Sequence, residues 1–425
     1  MKFKQPFAAK KGDTGNGATS TVATEASAPT APAPRLVDKA FDYFDFDSLL
    51  RPEEREVRDR VRAFVEAEVT PVINEYWEKD ETPMFLLEKL AALNICGGSI
   101  QGYSCPGFSP LLTGLVQFEL TRGDGSIGTM FGVTSGLGMM SIYLCGSEAQ
   151  KQQWLPRLAR MEAFCSFGLT EPYIGSDASH IQTTAKKVGD TYVLNGAKRW
   201  IGGATFADVT VIWAQDDQTG QVGGFLVEKD TPGFYPTKMK GKLALRALPN
   251  ADIKLENCVI PASNRLEKAN SFRDTAAVLR ATRLGVAWAA IGHAQAAYEL
   301  ALSYAKKRQQ FGRPIAGFQL IQEKLVKMLA ELEYMKITTA HLSRLSETPN
   351  KLTDGMASLA KMNNAAKARQ IVAMAREILG GNGILLEHHV MRHFADMEAV
   401  YSYEGTNEIN TLVVGREITG WQAFA

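Results

Sequence analysis

Near Cys165 the sequence changes texture, and no other feature restricts the fold as much. Upstream, "EEREVRDRVRAFVEAEVTPVINEYW" sets Val57, Val61, Phe64, Val65 and Val69 three and four residues apart with charges between, which predicts an amphipathic helix. Helical runs follow at "FLLEKLAAL" and at "SEAQKQQWLPRLAR", where Ser147 before Glu148 marks a start. Beyond Cys165, "DTYVLNGAKRWIGGATFADVTVIWAQDDQTGQVGGFLVEKDTPGFYPTKMKG" has short β-branched and aromatic runs broken by Gly, Asn, Asp and Pro. That pattern predicts a meandering antiparallel sheet or small barrel, to which "NADIKLENCVIP" adds a strand. After about residue 272, three long periodic stretches each suffice to span a helical bundle. The chain therefore reads as mainly α with a β domain: a tail over 1–44, helices over 45–164, sheet over 165–272 and helices over 273–425.

Composition removes several function classes. A formal net charge of +1 gives no bias toward nucleic acid or an anionic membrane. The five cysteines (Cys96, Cys105, Cys145, Cys165, Cys258) form no C-x-x-C pair, so reduced thiols in an intracellular setting are expected, not a disulfide framework or a metal site. Residues 125–147 carry no charge and are long enough to cross a bilayer, but six glycines among them favour a buried, closely packed helix. No transmembrane segment is expected. Residues 1–36 are rich in Ala, Thr, Ser, Pro and Gly, which predicts disorder; four lysines and no acid in the first eleven are compatible with a targeting peptide.

Local motifs need their context. "GDGSIG" (123–128) matches a dinucleotide fingerprint, yet the stretch before it reads as helix, not strand, so a Rossmann unit is excluded. His389 and His393, with His388 beside them, would need further ligands to hold a metal; Glu387 and Asp396 are the obvious local candidates, there is no H-E-x-x-H, and surface or packing histidines are the better reading. "KKRQQFGR" (306–313) is either a solvated helix end or a site for an anion and a ring. Near the C-terminus, "YSYEGTNEIN" puts an acid, Glu404, on a Gly-Thr turn between two helical stretches.

Five segments in order, "FGLTEPYIGSD", "KRWIGG", "RQQFGRPIAGFQ", "EILGGNGI" and "YEGTNEINTLVVGR", resemble the acyl-CoA dehydrogenase and oxidase superfamily over residues 45–422. Within it, the chain resembles the plant peroxisomal short-chain acyl-CoA oxidase and the glutaryl-CoA dehydrogenases. The resemblance implies an N-terminal helical domain, a middle β-barrel and a C-terminal four-helix bundle, assembled as a homodimer or homotetramer. It implies FAD as cofactor and an acyl-CoA substrate oxidised in fatty acid β-oxidation. A proton beside a thioester carbonyl is weakly acidic and needs a held base, and Glu404 matches the family's base, with Gly405 beside the thioester. The flavin contacts implied are Phe167, Leu169, Thr170, Ser176, Trp200 and Gly202. Arg308, Gln310, Phe311, Phe318 and Gln319 match contacts made by a second subunit, and Glu377, Gly381, Thr406 and Glu408 complete the set. Gly202 stands where many members have a threonine; Glu377 and Glu408 replace glutamines.

For the substrate, Ser176 and Arg283 match positions that contact CoA. Glutaryl-CoA dehydrogenases carry an arginine for the distal carboxylate; the aligned residue is Gly128, so a monocarboxylic acyl chain is expected. The leading reading is a short-chain dehydrogenase feeding an electron-transfer flavoprotein. An oxidase passing electrons to O2 stays open, as does a scaffold that has lost turnover, against which Glu404 and the flavin motifs stand. The C-terminal "GWQAFA" is not S-K-L-like, and both the mitochondrial matrix and the peroxisome remain open.

Overall fold

The computed structural model describes residues 38–422. The expectations for residues 1–36 lie outside them. Residues 41–44, expected within the tail, are instead docked. Phe41 packs edge-on to Tyr298 at 6.5 Å, Phe44 packs on Tyr334 at 5.8 Å, and the Phe44 amide donates to Glu333 Oε2 at 3.0 Å. Their rings supply large apolar area to bury against Tyr298 and Tyr334.

The first helices are α1 (Pro52–Phe64), α2 (Ile73–Lys79), α3 (Leu86–Ala91), α4 (Pro110–Gly123), α5 (Gly125–Phe131), α6 (Met139–Cys145) and α7 (Glu148–Ala159). The long periodic stretch becomes two helices, because a π-helical turn, Val65–Val69, follows α1 and Pro71 has no N–H to continue the ladder. Thr70 closes that turn, its amide (2.9 Å) and hydroxyl (3.1 Å) both donating to the Val65 carbonyl. A second π-helical stretch, Gly132–Gly138, joins α5 to α6. Gly125–Cys145 is thus one helix, long and apolar enough to cross a membrane by length and composition. More than half of it is buried, with Ile127, Met130, Phe131, Met139 and Ile142 in the core.

The sheet comprises β1 (Cys165–Gly168), β2 (Thr184–Val188), β3 (Thr191–Gly202), β4 (Val209–Asp216), β5 (Val222–Glu228), β6 (Phe234–Lys238) and β7 (Asn250–Pro261). Its order is β1-β4-β2-β3-β7-β6, with β5 also on β4. Both β1 and β2 run parallel to β4, and the other pairings are antiparallel. The sheet is therefore mixed, not a simple meander, and no strand pairing among the described residues closes it into a barrel. The reason lies in β4, which is buried on both faces. Val209, Val211 and Trp213 join the core of the N-terminal helices, while Ile212 and Ala214 join a second core with Leu194 and Phe225. A strand covered on both sides reads as a near-continuous apolar run, as "VTVIW" does.

The rest is helical: α8 (Phe272–Lys307), a short hairpin of β8 (Gln309–Gln310) and β9 (Arg313–Pro314), then α9 (Gln319–Leu345), α10 (Asp354–Ile378), α11 (Val390–Ser402) and α12 (Asn407–Thr419). The 36 residues of α8 make a rod of about 54 Å. Small residues let its neighbours approach closely. An added Cβ at Gly292 would meet the Phe118 carbonyl at 2.6 Å, and one at Gly114 would meet the Trp288 ring at 2.2 Å.

Candidate active site

Glu404 sits where α11 stops and α12 has yet to begin. Tyr403 leaves the helix in an extended conformation, Glu404 takes φ 49° and Gly405 φ 85°, and the Thr406 hydroxyl caps α12 by accepting from the Ile409 amide at 3.2 Å. A left-handed glutamate costs on the order of 1 kcal/mol or more, so its surroundings must hold it. They do: Asn410 Nδ2 donates to the carbonyls of Gly405 (2.8 Å) and Thr406 (3.0 Å), and Lys361 Nζ donates to those of Tyr401 (3.1 Å) and Gly405 (2.8 Å). Among the described residues neither the Glu404 nor the Gly405 amide finds a backbone acceptor.

The carboxyl faces α8, where Thr282 Oγ1 donates to Glu404 Oε2 at 3.2 Å. Burial pushes Glu404 up to about 7, while Arg283, the Thr282 hydrogen bond and Lys361 each pull it down. Arg283 is half-buried beside it, its Nη1 donating to Ser358 Oγ at 3.0 Å. This places Arg283 as a charge neighbour of Glu404. Burial pulls Lys361 down to about 8, opposed first by Glu404.

The glycine-rich π-helical stretch connects this carboxyl to the sheet. A Cβ on Gly136 would have Thr282 Cγ2 as its one neighbour, at 3.5 Å. Earlier in the stretch, Val133 Cγ2 stands 3.5 Å from the position of a Cβ on Gly202, and Thr134 Oγ1 donates to the Cys165 carbonyl at 3.1 Å. Met130, Val133, Thr134, Ser166, Gly202 and Leu248 line a small pocket there. Beside it, a bulge between Lys198 and Ile201 turns Trp200 outward with φ 67° and leaves its indole 54% exposed. Asn250 Nδ2 holds the Trp200 carbonyl at 2.9 Å. Phe167 and Leu169 are buried at the end of β1; Thr170 is half-buried and Ser176 exposed on the loop that follows.

The remaining sequence-predicted residues lie elsewhere on the chain. Arg308, Gln310 and Phe311 occupy the β8–β9 hairpin and are exposed, Phe311 by 93% with φ 50°. Phe318 meets Phe311 edge-on at 6.0 Å and carries Arg313 over its ring at 4.3 Å; exposed Gln319 starts α9. Glu377 pairs with Lys324, and Gly381 is exposed in the turn after α10. No hydrogen bond or ring pair among the described residues links this group to Glu404. Glu408 is exposed on the first turn of α12.

Four supporting residues escaped the sequence reading. Thr282 and Lys361 touch the Glu404 turn across long sequence separations that no local motif signals. Lys198 and Glu171 lie within recognised motifs, and their role is visible only in three dimensions. Lys198 Nζ, fully buried, donates to the Leu169 carbonyl (3.0 Å) and to Glu171 Oε1 (2.8 Å), fixing the loop after β1. Gly128 also looks different in the fold. A Cβ there would meet Thr121 Oγ1 at 2.2 Å, and Gln117 Nε2 donates to the Gly128 carbonyl at 3.0 Å. The position faces α4, so an arginine introduced there would displace α4 side chains before it reached a substrate.

Comparison with known proteins agrees with this architecture. Residues 51–162, 166–258 and 272–419 match the models of the acyl-CoA dehydrogenase N-terminal, middle and C-terminal domains. A glutaryl-CoA dehydrogenase of Mycobacterium smegmatis, solved in complex with FADH2, is 37% identical with a TM-score of 0.88, covering 91% of this chain and 99% of that one. The butyryl-CoA dehydrogenase of Megasphaera elsdenii is 30% identical with a TM-score of 0.82, covering 87% and 98%. The mitochondrial short-chain specific acyl-CoA dehydrogenase of Rattus norvegicus is 33% identical over 375 residues, 87% of this chain and 91% of the relative. With all three domain models matched in order along one chain, the protein belongs to the acyl-CoA dehydrogenase family of FAD-dependent oxidoreductases.

Proposed function

We propose that the chain oxidises short-chain acyl-CoA thioesters to trans-2-enoyl-CoA, with Glu404 as the base that removes the α-proton. The observation that carries this reading is the carboxyl's placement: Glu404, held at φ 49° on the turn between α11 and α12, accepts from Thr282 of α8 at 3.2 Å, and burial raises its pKa. A base poised near the working pH combines ionisation with proton affinity. The free amides of Glu404 and Gly405 are donors available to the thioester oxygen, on which charge builds as the α-carbon loses its proton.

The residues present fit FAD. Trp200 offers an exposed indole face, and Gly202 leaves room where a side chain would meet Leu248 and Val133. When bound, FAD supplies the hydride acceptor for the β-hydrogen, which no side chain can supply. Lys198 and Glu171 keep the loop of Phe167, Leu169, Thr170 and Ser176 in place, and the bulge aims Trp200. The exposed Arg308, Gln310, Phe311 and Gln319, with half-buried Phe318 and with Glu377 and Gly381, suit a second copy of the chain, which supports a homo-oligomer. The dehydrogenase names of the relatives support an electron-transfer flavoprotein as acceptor.

Gly136 and the absence of cations define the substrate. The helix Gly125–Cys145 contains no Lys, Arg or His, so a distal carboxylate would be desolvated without a partner from it. We expect kcat/KM for glutaryl-CoA to lie about two orders of magnitude or more below that for butyryl-CoA. Gly136→Val, which fills the space beside Thr282, is expected to cost hexanoyl-CoA roughly tenfold more than butyryl-CoA. Steady-state rates across this panel check both, and equal losses on both saturated chains would place the acyl group elsewhere.

A further inference from the structure

We propose that Lys361 is a positioning residue for this reaction: its buried ammonium pins the turn that carries Glu404 and serves as the counter-charge of that carboxylate. The inference rests on the reading of Glu404 as the base.

Lys361 lies in the middle of α10 with no exposed surface, an expensive place for an ammonium. Among the described residues it has no carboxylate in hydrogen-bond contact. Its bonds go to two carbonyls, Tyr401 at 3.1 Å in the last turn of α11 and Gly405 at 2.8 Å just past the base. These bracket the residues that break from helical geometry, so one cation clamps both ends of the strained segment. One turn earlier on the same face of α10, buried Ser358 accepts from Arg283 at 3.0 Å. A single face of α10 thus orients both cations near Glu404.

The charges acting on Lys361 are Glu404 on the turn, Arg283 of α8 and Glu408 of α12. Glu404 is the strongest of them, and Lys361 in turn opposes the burial that favours the protonated acid. Without the cation, Glu404 would be protonated over more of the neutral range. A methionine could fill much of the same volume in the bundle; it could neither hold the two carbonyls nor balance the carboxylate.

The test uses the FAD-loaded full chain with butyryl-CoA. Lys361→Gln keeps a donor and removes the charge; Lys361→Arg keeps the charge and misplaces the donors. For Lys361→Gln the acid limb of the kcat profile is expected to move up by about one pH unit, a roughly tenfold loss at pH 6 that is largely regained at pH 9. KM should change far less than kcat. Lys361→Arg is expected to keep the wild-type acid limb and lose kcat evenly at every pH. A readout independent of turnover is the Glu404 carboxyl band in infrared difference spectra against Glu404→Gln. It should persist to about one pH unit higher in Lys361→Gln than in wild type. A loss of kcat with both the limb and the band unmoved would overturn the counter-charge role, as would an acid limb in Lys361→Arg displaced as far as in Lys361→Gln. Should Glu404→Gln itself turn over at the wild-type rate, the reading of the base fails first, which is a separate result.

Discussion

Glu404→Gln is expected to lower kcat for butyryl-CoA by about 10²–10⁴-fold while leaving the protein folded. Glutamine has the same shape and can still accept from Thr282, so the turn and its caps should survive. It cannot take a proton. The wild-type rate should rise as pH increases through about 7, because burial holds the carboxyl protonated below that value. Stability should move in the opposite sense. A carboxyl whose folded pKa lies above its ordinary 4.5 favours the fold at low pH, and that contribution is lost as pH climbs toward 7. Glutamine does not titrate, so the variant should melt at or above the wild-type temperature at pH 8, with the difference vanishing near pH 4. Thermal unfolding at the two pH values checks this. Loss of activity accompanied by lower stability at pH 8 would mean that Glu404 is structural.

The second large effect lies away from the carboxyl. Arg392 of α11 is almost wholly buried and pairs with Asp124, while also donating to Asn74 Oδ1 at 2.7 Å and lying 2.9 Å from His389 Nδ1. Asp124 in turn caps α5, accepting from the amides of Ser126 (2.8 Å) and Ile127 (3.2 Å). Asp396 is close enough that burial and Asp124 push it up to about 7, with Arg392 among the groups holding it down. Arg392→Met removes the cation from two buried carboxyls and is expected to cost about 3–5 kcal/mol. The loss should be greater at pH 8 than at pH 6, since Asp396, whose pKa burial raises, favours the fold only while protonated. Asp124→Asn in the same chain should restore part of the stability by removing one uncompensated charge. Denaturant titrations of both variants measure it. A cost under 1 kcal/mol at both pH values would show that the pair contributes little.

Much of this was legible in the residues. The change from period 3.6 to period 2 at Cys165 and back near residue 272 tracks the observed helix–sheet–helix order, because burial on one face imposes those periods. The Glu404 turn was legible as well, since Gly405 and Thr406 are the residue types a left-handed turn and a helix cap require. Other features depend on partners distant in sequence. "GVTSGLG" gives no sign that Gly132–Gly138 is π-helical, a geometry set by packing against β1: a Cβ on Gly138 would meet Cys165 Sγ at 2.7 Å. The parallel pairing of β1 and β2 with β4 is likewise a long-range choice. Lys361 sits in "LAKMNN", which reads as an ordinary solvated lysine until α11 and α12 close over it. Gly128 carried a substrate argument from alignment alone, and its packing against Thr121 could not be seen without the fold.

The most direct measurement is an anaerobic titration of FAD-loaded protein with butyryl-CoA, following the flavin absorbance of wild type beside Glu404→Gln. Proton abstraction by Glu404 predicts rapid bleaching in the wild type and, at equal FAD content, reduction slowed by about 10²–10⁴-fold in the variant. Equal bleaching rates in the two proteins would contradict the proposed role of Glu404.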